Sequence, residues 1–283
     1  MKDLYQMVTD KIVAAVEAGT PPWVKPWSVS DQRPRNATTQ RPYRGVNSVL
    51  LGLEADAKGY PDSRWLTFRQ ALDLGARVRG GEHGTTVVFY KLREVDAQSA
   101  DTGGRKIIPF LRSFTVFNVA QIDGLELIAP SKPVAWNAQA QAEALLRGSG
   151  ATIRHGGSYA YYDRTRDHIQ LPDRPAFAQS GDYYATALHE ACHWTGHPTR
   201  CNRELKGRFG DAAYAMEELI AEMGSAYLCA HCRIDGRLQH AAYVHGWLPV
   251  IRNDKRAIFT ASAKAQAAAD FLLQPAQAEE VAA

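Results

Sequence analysis

The pentapeptide His189-Glu190-Ala191-Cys192-His193 constrains the fold more than any other stretch, because its chemistry works only on a helix. Residues four apart on a helix lie one turn above one another, so both imidazoles can aim at one metal ion with Glu190 flanking it. A zinc ion held by neutral nitrogens acidifies its water, and a neighbouring carboxylate can take the proton as that water attacks a carbonyl. In a chain of 283 residues with 9 histidines, the His-Glu-x-x-His pattern arises by accident roughly once in a hundred such sequences. The residue pattern is helical from Tyr183 to Thr195, and again from Asp211 through Cys232.

A catalytic zinc site needs a third protein ligand and an open position. Gly196 sits at the spacing of a longer zincin motif, but Thr199 occupies the place of its third histidine and His197 comes two residues early. The next helix offers carboxylates instead. In Glu217-Glu218-Leu219-Ile220-Ala221-Glu222, Glu218 and Glu222 lie one turn apart. Glu218 is therefore the expected ligand beside His189 and His193, Glu222 the expected hydrogen-bond partner of a ligand histidine, and Glu217 the fallback ligand. Glu190 is the expected catalytic residue and Zn2+ the expected cofactor, with another divalent metal such as Mn2+ as the alternative. Tyr214, His231 and His245 are chemically suited to stabilise an oxyanion. Cys229-Ala230-His231-Cys232 has no second closely spaced pair to complete a structural zinc site, so buried helical thiols are expected there.

The remaining chain reads as α+β in two domains. Leu4, Val8, Ile12, Ala15 and Val16 form one helical stripe, stopped by Gly19, Pro21 and Pro22, and an irregular aromatic-anchored stretch runs from Trp23 to Tyr43. A helix is expected over Trp65–Leu74, and strands over 85–90 and 110–117 that pair across a long connection. Ile128-Ala-Pro-Ser-Lys-Pro133 breaks helix and strand alike, which places the domain boundary there. The units are then 1–128, 134–273 and a frayed tail, 274–283. The second unit opens with a helix over 137–147, followed by an antiparallel meander of 152–154, 159–162 and 168–171 packed against the active-site helix. Its strand 168–171 is expected to receive an extended substrate. With 33 Lys and Arg against 30 Asp and Glu, the overall charge is too mild to announce a nucleic-acid binder. Neither an export signal nor a stretch of membrane-spanning length is evident, so a cytoplasmic protein with no membrane partner is expected.

The C-terminal half resembles the zincin-like domain of the ArdC antirestriction proteins of conjugative plasmids. The resemblance runs through residues 189–197, Arg200-Cys201-Asn202-Arg203 and the segment from Phe209 to Glu222. The N-terminal half is similar to the same family's DNA-binding domain through Trp23-Val24-Lys25-Pro26-Trp27, Tyr43-Arg44-Gly45-Val46-Asn47, Arg64-Trp65-Leu66-Thr67-Phe68-Arg69-Gln70-Ala71 and Thr115-Val116-Phe117-Asn118-Val119. A related segment occurs in plasmid primases. The resemblance implies single-stranded DNA binding by the first domain, a metallopeptidase fold in the second, and protection of incoming plasmid DNA from host restriction. The partners it implies are single-stranded DNA and a host protein or restriction enzyme.

Between Arg33 and Arg93 there are eleven Lys and Arg against five Asp and Glu, interleaved with aromatic rings. Such a pattern suits a flexible strand whose phosphates and bases are both accessible. Arg44, Arg64, Arg69, Arg77 and Lys91 are the expected phosphate contacts, and Tyr43 and Trp65 the expected stacking residues. Two readings compete with a DNA-bound metallopeptidase: a DNA-binding shield whose metal site is structural, and a decoy that meets the restriction enzyme through protein contact.

Overall fold

The computed structural model describes residues 3–18, 33–96, 105–125, 138–203, 211–234 and 244–274, with side chains of 90–96, 105–111, 138–139 and 244–246 outside the described set. The Pro-rich breaker at 128–133, the tail from 275 and residues 23–32 of the Trp23–Tyr43 stretch lie outside the described residues.

Helix α1 (Leu4–Glu17) starts where the Asp3 carboxylate accepts the amides of Tyr5 and Gln6, and it buries Val8, Ile12 and Val16. Strand β1 (Arg35–Asn36) and helix α2 (Val46–Lys58) follow, α2 ending at Gly59 with φ +64°, a left-handed cap that glycine adopts without strain. Residues 64–74 are not one helix. They form strand β2 (Arg64–Thr67) and then helix α3 (Phe68–Asp73), divided by a capping box in which Thr67 and Gln70 bond each other's backbone. The box fixes the helix start after Thr67, which leaves Trp65 and Leu66 to alternate across a sheet.

After β3 (Arg77–Val78), β4 (Thr85–Asp96) and β5 (Arg105–Asn118) form the expected hairpin, in register from Thr85 opposite Val116 to Asp96 opposite Arg105. The sheet order is β1-β2-β5-β4, and β6 (Ile122–Asp123) pairs with β3. The Asn47 side chain bonds both the amide and the carbonyl of Val88, tying α2 to β4.

In the second half, helix α4 (Ala138–Gly148) precedes β7 (Thr152–His155), β8 (Tyr161–Asp163) and β9 (His168–Leu171). These strands are not an antiparallel meander. Their order is β7-β9-β8, with β7 parallel to β9 and β8 antiparallel to it. Both edges of β9 are therefore occupied, so β9 cannot receive a substrate strand, and the edge strand beside the site is β8. Helices α5 (Ser180–Thr195), α6 (Ala212–Cys232), α7 (Val244–Asn253) and α8 (Ala257–Leu273) complete the chain. Helix α6 opens where Asp211 accepts the Tyr214 amide. It packs so closely on α5 and α8 that a Cβ on Gly224 would lie 2.7 Å from Cys192 Sγ.

One apolar cluster holds Val8, Ile12 and Val16 of α1, Val49 and Leu50 of α2, and the core of α5, α6, α7 and α8. The first helix in the sequence thus packs with the last ones. Among the described residues, no helix is long and apolar enough to cross a membrane.

Candidate metal centre

Helix α5 is buried at nearly every position between Tyr183 and Thr195, because α4, α6, α8 and the small sheet surround it. The four-residue spacing points His189 and His193 at α6, and their Nε2 atoms stand 3.1 Å apart. Glu218 closes a triangle with them: one carboxylate oxygen is 3.6 Å from His189 Nε2 and the other 3.5 Å from His193 Nε2. One ligand atom from each residue lies within 4.8 Å of the others. Donors about 2.0–2.2 Å from a tetrahedral zinc ion would be separated by about 3.3 Å, so the three spacings fit a single cation, and two imidazoles with one carboxylate are a suitable donor set.

The two ring nitrogens on the far side differ in their surroundings. His193 Nδ1 is 3.1 Å from Glu217 Oε1, and His189 Nδ1 is 4.0 Å from Glu222 Oε1. The Glu217 contact fixes the tautomer that presents His193 Nε2 to a metal, whereas the Glu222 carboxylate stands beyond hydrogen-bond reach and His189 Nδ1 is buried without a hydrogen-bond partner. Glu217 is not the fallback ligand, because both of its oxygens are engaged. Arg203 donates through Nε to Oε2 at 3.0 Å and through a terminal nitrogen to Oε1 at 2.8 Å. The Arg203 side chain, 3% exposed, also reaches Thr195 Oγ1 and the Cys192 carbonyl of α5. Sequence reasoning missed Arg203, since an arginine in a loop carries no periodic signal.

The electrostatics follow from this crowding. Burial opposes protonation of His193, but Glu217 and Glu218 outweigh it and hold its pKa well above the ordinary value. His189 is raised likewise, burial being outweighed by Glu218 and Glu222. Burial raises the Glu218 carboxyl, yet its two histidine partners bring it below the usual range. Burial also lifts Glu190 above that range, against the pull of His189, His193 and a hydrogen bond from the Tyr162 backbone. That last contact puts the β8 edge beside Glu190.

An open cleft of about 250 Å³ lies over these residues, lined also by Tyr161, Tyr162, Arg164 and Tyr214. A second cluster ties the β8–β9 turn to the loop after α5: Arg200 bonds both Asp167 oxygens and the Tyr162 hydroxyl, and stacks over Trp194 at 3.8 Å. Of the expected oxyanion partners, Tyr214 lines the cleft, His231 does not, and the His245 side chain lies outside the described residues. His197 and Thr199 bond each other at 2.8 Å on the exposed side of the loop, so the longer-motif scheme has no support. The thiols of Cys229 and Cys232 are buried in the helix, as expected, and Cys192 is buried too; none of the three forms a disulfide.

The residues expected to contact DNA fare unevenly. Trp65 is 0% exposed and packs with Leu51, Val87 and Val116, so it cannot stack on a base. Tyr43 is half-buried against the same cluster. Arg64 is largely buried and paired with Asp62 at 2.6 Å, whereas Arg69 and Arg77 are exposed. Arg44 is exposed and paired with Asp270 of α8, and the Lys91 side chain lies outside the described residues.

Comparison with known proteins agrees with this architecture. Residues 2–117 match the N-terminal domain of anti-restriction factor ArdC, and residues 140–264 match a zincin-like metallopeptidase family. The uncharacterized protein y4eC of Sinorhizobium fredii (strain NBRC 101917 / NGR234) is 43% identical over 95% of this chain and 91% of its own length. Two DNA primases named TraC from Escherichia coli are each 39% identical over 96% of this chain, which spans only 20% and 27% of their lengths. The metal-free crystal structure of the antirestriction ArdC protein from R388 plasmid superposes with a TM-score of 0.81 at 44% identity, covering 95% of this chain and 96% of that one. Its Mn(II)-bound structure gives 0.82 at 42% identity, covering 98% of this chain and 100% of that one. The chain belongs to the ArdC antirestriction family, with a zincin-like fold in its second half.

Proposed function

We propose that this protein protects incoming plasmid DNA from host restriction by binding it as a single strand through residues 1–128 and hydrolysing peptide bonds at a metal site within residues 134–273. The observation that carries the reading is the convergence of His189, His193 and Glu218, with Glu190 beside them, in a cleft bordered by the edge strand β8. Zinc suits two imidazoles and one carboxylate, and the Mn(II)-bound structure of the R388 relative supports manganese as the alternative. When bound, such an ion polarises a carbonyl and acidifies water.

The chain's own residues supply the rest. Glu190, buried and with a raised affinity for protons, accepts a proton during attack and returns it to the leaving amine. A peptide adds to the edge of β8, with its side chains against Tyr161, Arg164 and Tyr214. Exposed Arg69 and Arg77 contribute phosphate contacts. The partners are single-stranded DNA and a protein bound to it, a host restriction enzyme being the chemically simplest target. The setting is the cytoplasm of a cell receiving DNA by conjugation.

Glu190→Gln tests the peptidase step in a plasmid-transfer assay into a restricting host, alongside metal content and oligonucleotide binding. Loss of protection with both other properties intact is the expected result. Full protection would make proteolysis dispensable and leave a DNA-binding shield with a structural metal. Protection that survives loss of DNA binding in Arg69→Glu/Arg77→Glu would favour a decoy acting through protein contact. For the metal ligand, Glu218→Ala should lower zinc stoichiometry, and unchanged zinc content would remove Glu218 from the site.

A further inference from the structure

A second cleft, about 580 Å³, lies on a different part of the molecule, between the start of α2, strand β4 and helix α8. Its cations are Arg44, Arg256 and Lys264, and none of the described residues lining it is acidic. Asp270 neutralises Arg44 from α8, whereas Arg256 lies over the Tyr5 ring at 5.4 Å, a cation already placed against a flat surface.

Beside the cleft, the β4–β5 ribbon carries two aromatic rings that reach solvent. Phe89 is 58% exposed and Phe114 is 47% exposed, with centroids 6.4 Å apart and planes at 88°. Arg112 stands directly opposite Phe89 in the register, and two residues before Phe114, so it shares their face. Val87, directly opposite Phe114 and two residues before Phe89, is buried with Trp65 and Val116, so this face of the ribbon passes from core at Val87 to solvent at Phe89.

We propose that single-stranded DNA lies across Phe89 and Phe114 and enters this cleft, with Arg256 and Lys264 on its phosphates and the exposed rings under its bases. The proposal deepens the single-strand reading above and rests on it. Its new content is that α8 is half of the DNA site. Residues 2–117 match the ArdC N-terminal domain and residues 140–264 the zincin-like family, so α2 and β4 lie in the first match and the opening turns of α8 in the second. The positive charge of Arg256 and Lys264 in a cleft lined by no described acidic residue selects a polyanion, and exposed rings select one with free base faces, which duplex DNA lacks.

Fluorescence anisotropy of a fluorescein-labelled oligothymidylate with the full chain tests this. Phe89→Ala/Phe114→Ala should weaken binding roughly ten-fold with an unchanged salt slope. Arg256→Gln/Lys264→Gln should weaken it and reduce the slope of log affinity against log salt by about 1.4, two phosphates' share on a single strand. Phe89→Tyr, which keeps the ring, should bind as the parent. A 5-iodouracil oligonucleotide on the unmutated chain should crosslink to Phe89, Phe114, Tyr5 or Phe259. Parent-like binding by both double variants overturns the cleft, as does equal affinity for duplex DNA of the same sequence. Loss of binding confined to Arg69→Gln/Arg77→Gln overturns the cleft and keeps the single-strand reading. Failure of the parent itself to bind overturns both.

Discussion

Arg203 bonds neither the Nε2 atoms of His189 and His193 nor Glu218, yet through Glu217 it holds His193, and through Thr195 and the Cys192 carbonyl it holds the end of α5. Arg203→Met leaves the Glu217 charge buried without its bidentate partner, and a loss of about 3–5 kcal/mol in unfolding free energy is expected. Zinc affinity, read by competition with a chromophoric chelator, should also fall about 10- to 100-fold, and Arg203→Lys should recover only part because an ammonium cannot replace the planar fork. Unchanged zinc affinity in Arg203→Met would dissolve this link. Asp167 gives a pH signature. Hydrogen bonds from Arg200, opposed by partial burial and helped by Tyr162, hold its carboxyl down to about 2 from an ordinary 3.8. The folded value lies below the unfolded one, so the stabilisation is complete above about pH 4 and drains away as pH falls towards 2. Urea midpoints for Asp167→Asn should differ from the parent at neutral pH and converge with it in that acid window. The residues legible in the sequence were those with a fixed spacing: His189, Glu190, His193 and the Glu217–Glu222 run. Arg200 and Arg203 stand in a segment that carries the family resemblance, but their roles, like that of Asp167, were illegible because loop positions acquire partners only through the fold.

At the level of elements, α5 and α6 were readable because each has a long apolar period and α6 has a capping residue, Asp211. Helix α2 was passed over, since its buried Val46, Val49, Leu50 and Leu51 follow a run with no cap bonded through a side chain. The β2–α3 junction was misread for a related reason: Trp65 and Leu66 fit a helix or a strand by hydrophobicity, and only the Thr67–Gln70 box decides between them. Parallel pairing of β7 with β9 was beyond the sequence, because strand choice depends on contacts distant along the chain. The tight α5–α6–α8 packing carries its own test. Gly224→Ala pushes a methyl to 2.7 Å from Cys192 Sγ, one residue before His193, and should cost about 1–3 kcal/mol in thermal or denaturant unfolding. A neutral or stabilising effect would mean that α6 shifts freely against α5.

Across the whole molecule, the proposed division into residues 1–128 and 134–273 coexists with a core that ignores it. Ile12 is 0% exposed among side chains of α5, α6, α7 and α8, and Tyr227 of α6 donates to the Gly45 carbonyl at the head of α2. Ile12→Ala should cost about 2–5 kcal/mol and move the transition reported by buried Trp247, not a separate N-terminal transition. A second, unshifted transition would show that the two halves unfold independently. The packing of α1 also sets a schedule. Thr9 donates to the carbonyl of Lys255, 246 residues further along, and α1 packs on α7. During synthesis the ribosome makes α1 well before α7 and α8, and Val8, Ile12 and Val16 lack part of their cover until those helices emerge. A nascent chain halted before residue 244 therefore displays an apolar helix with nowhere to dock, a ready client for a chaperone. Helices α5 and α6 acquire their complete surroundings only when α1 meets α7 and α8.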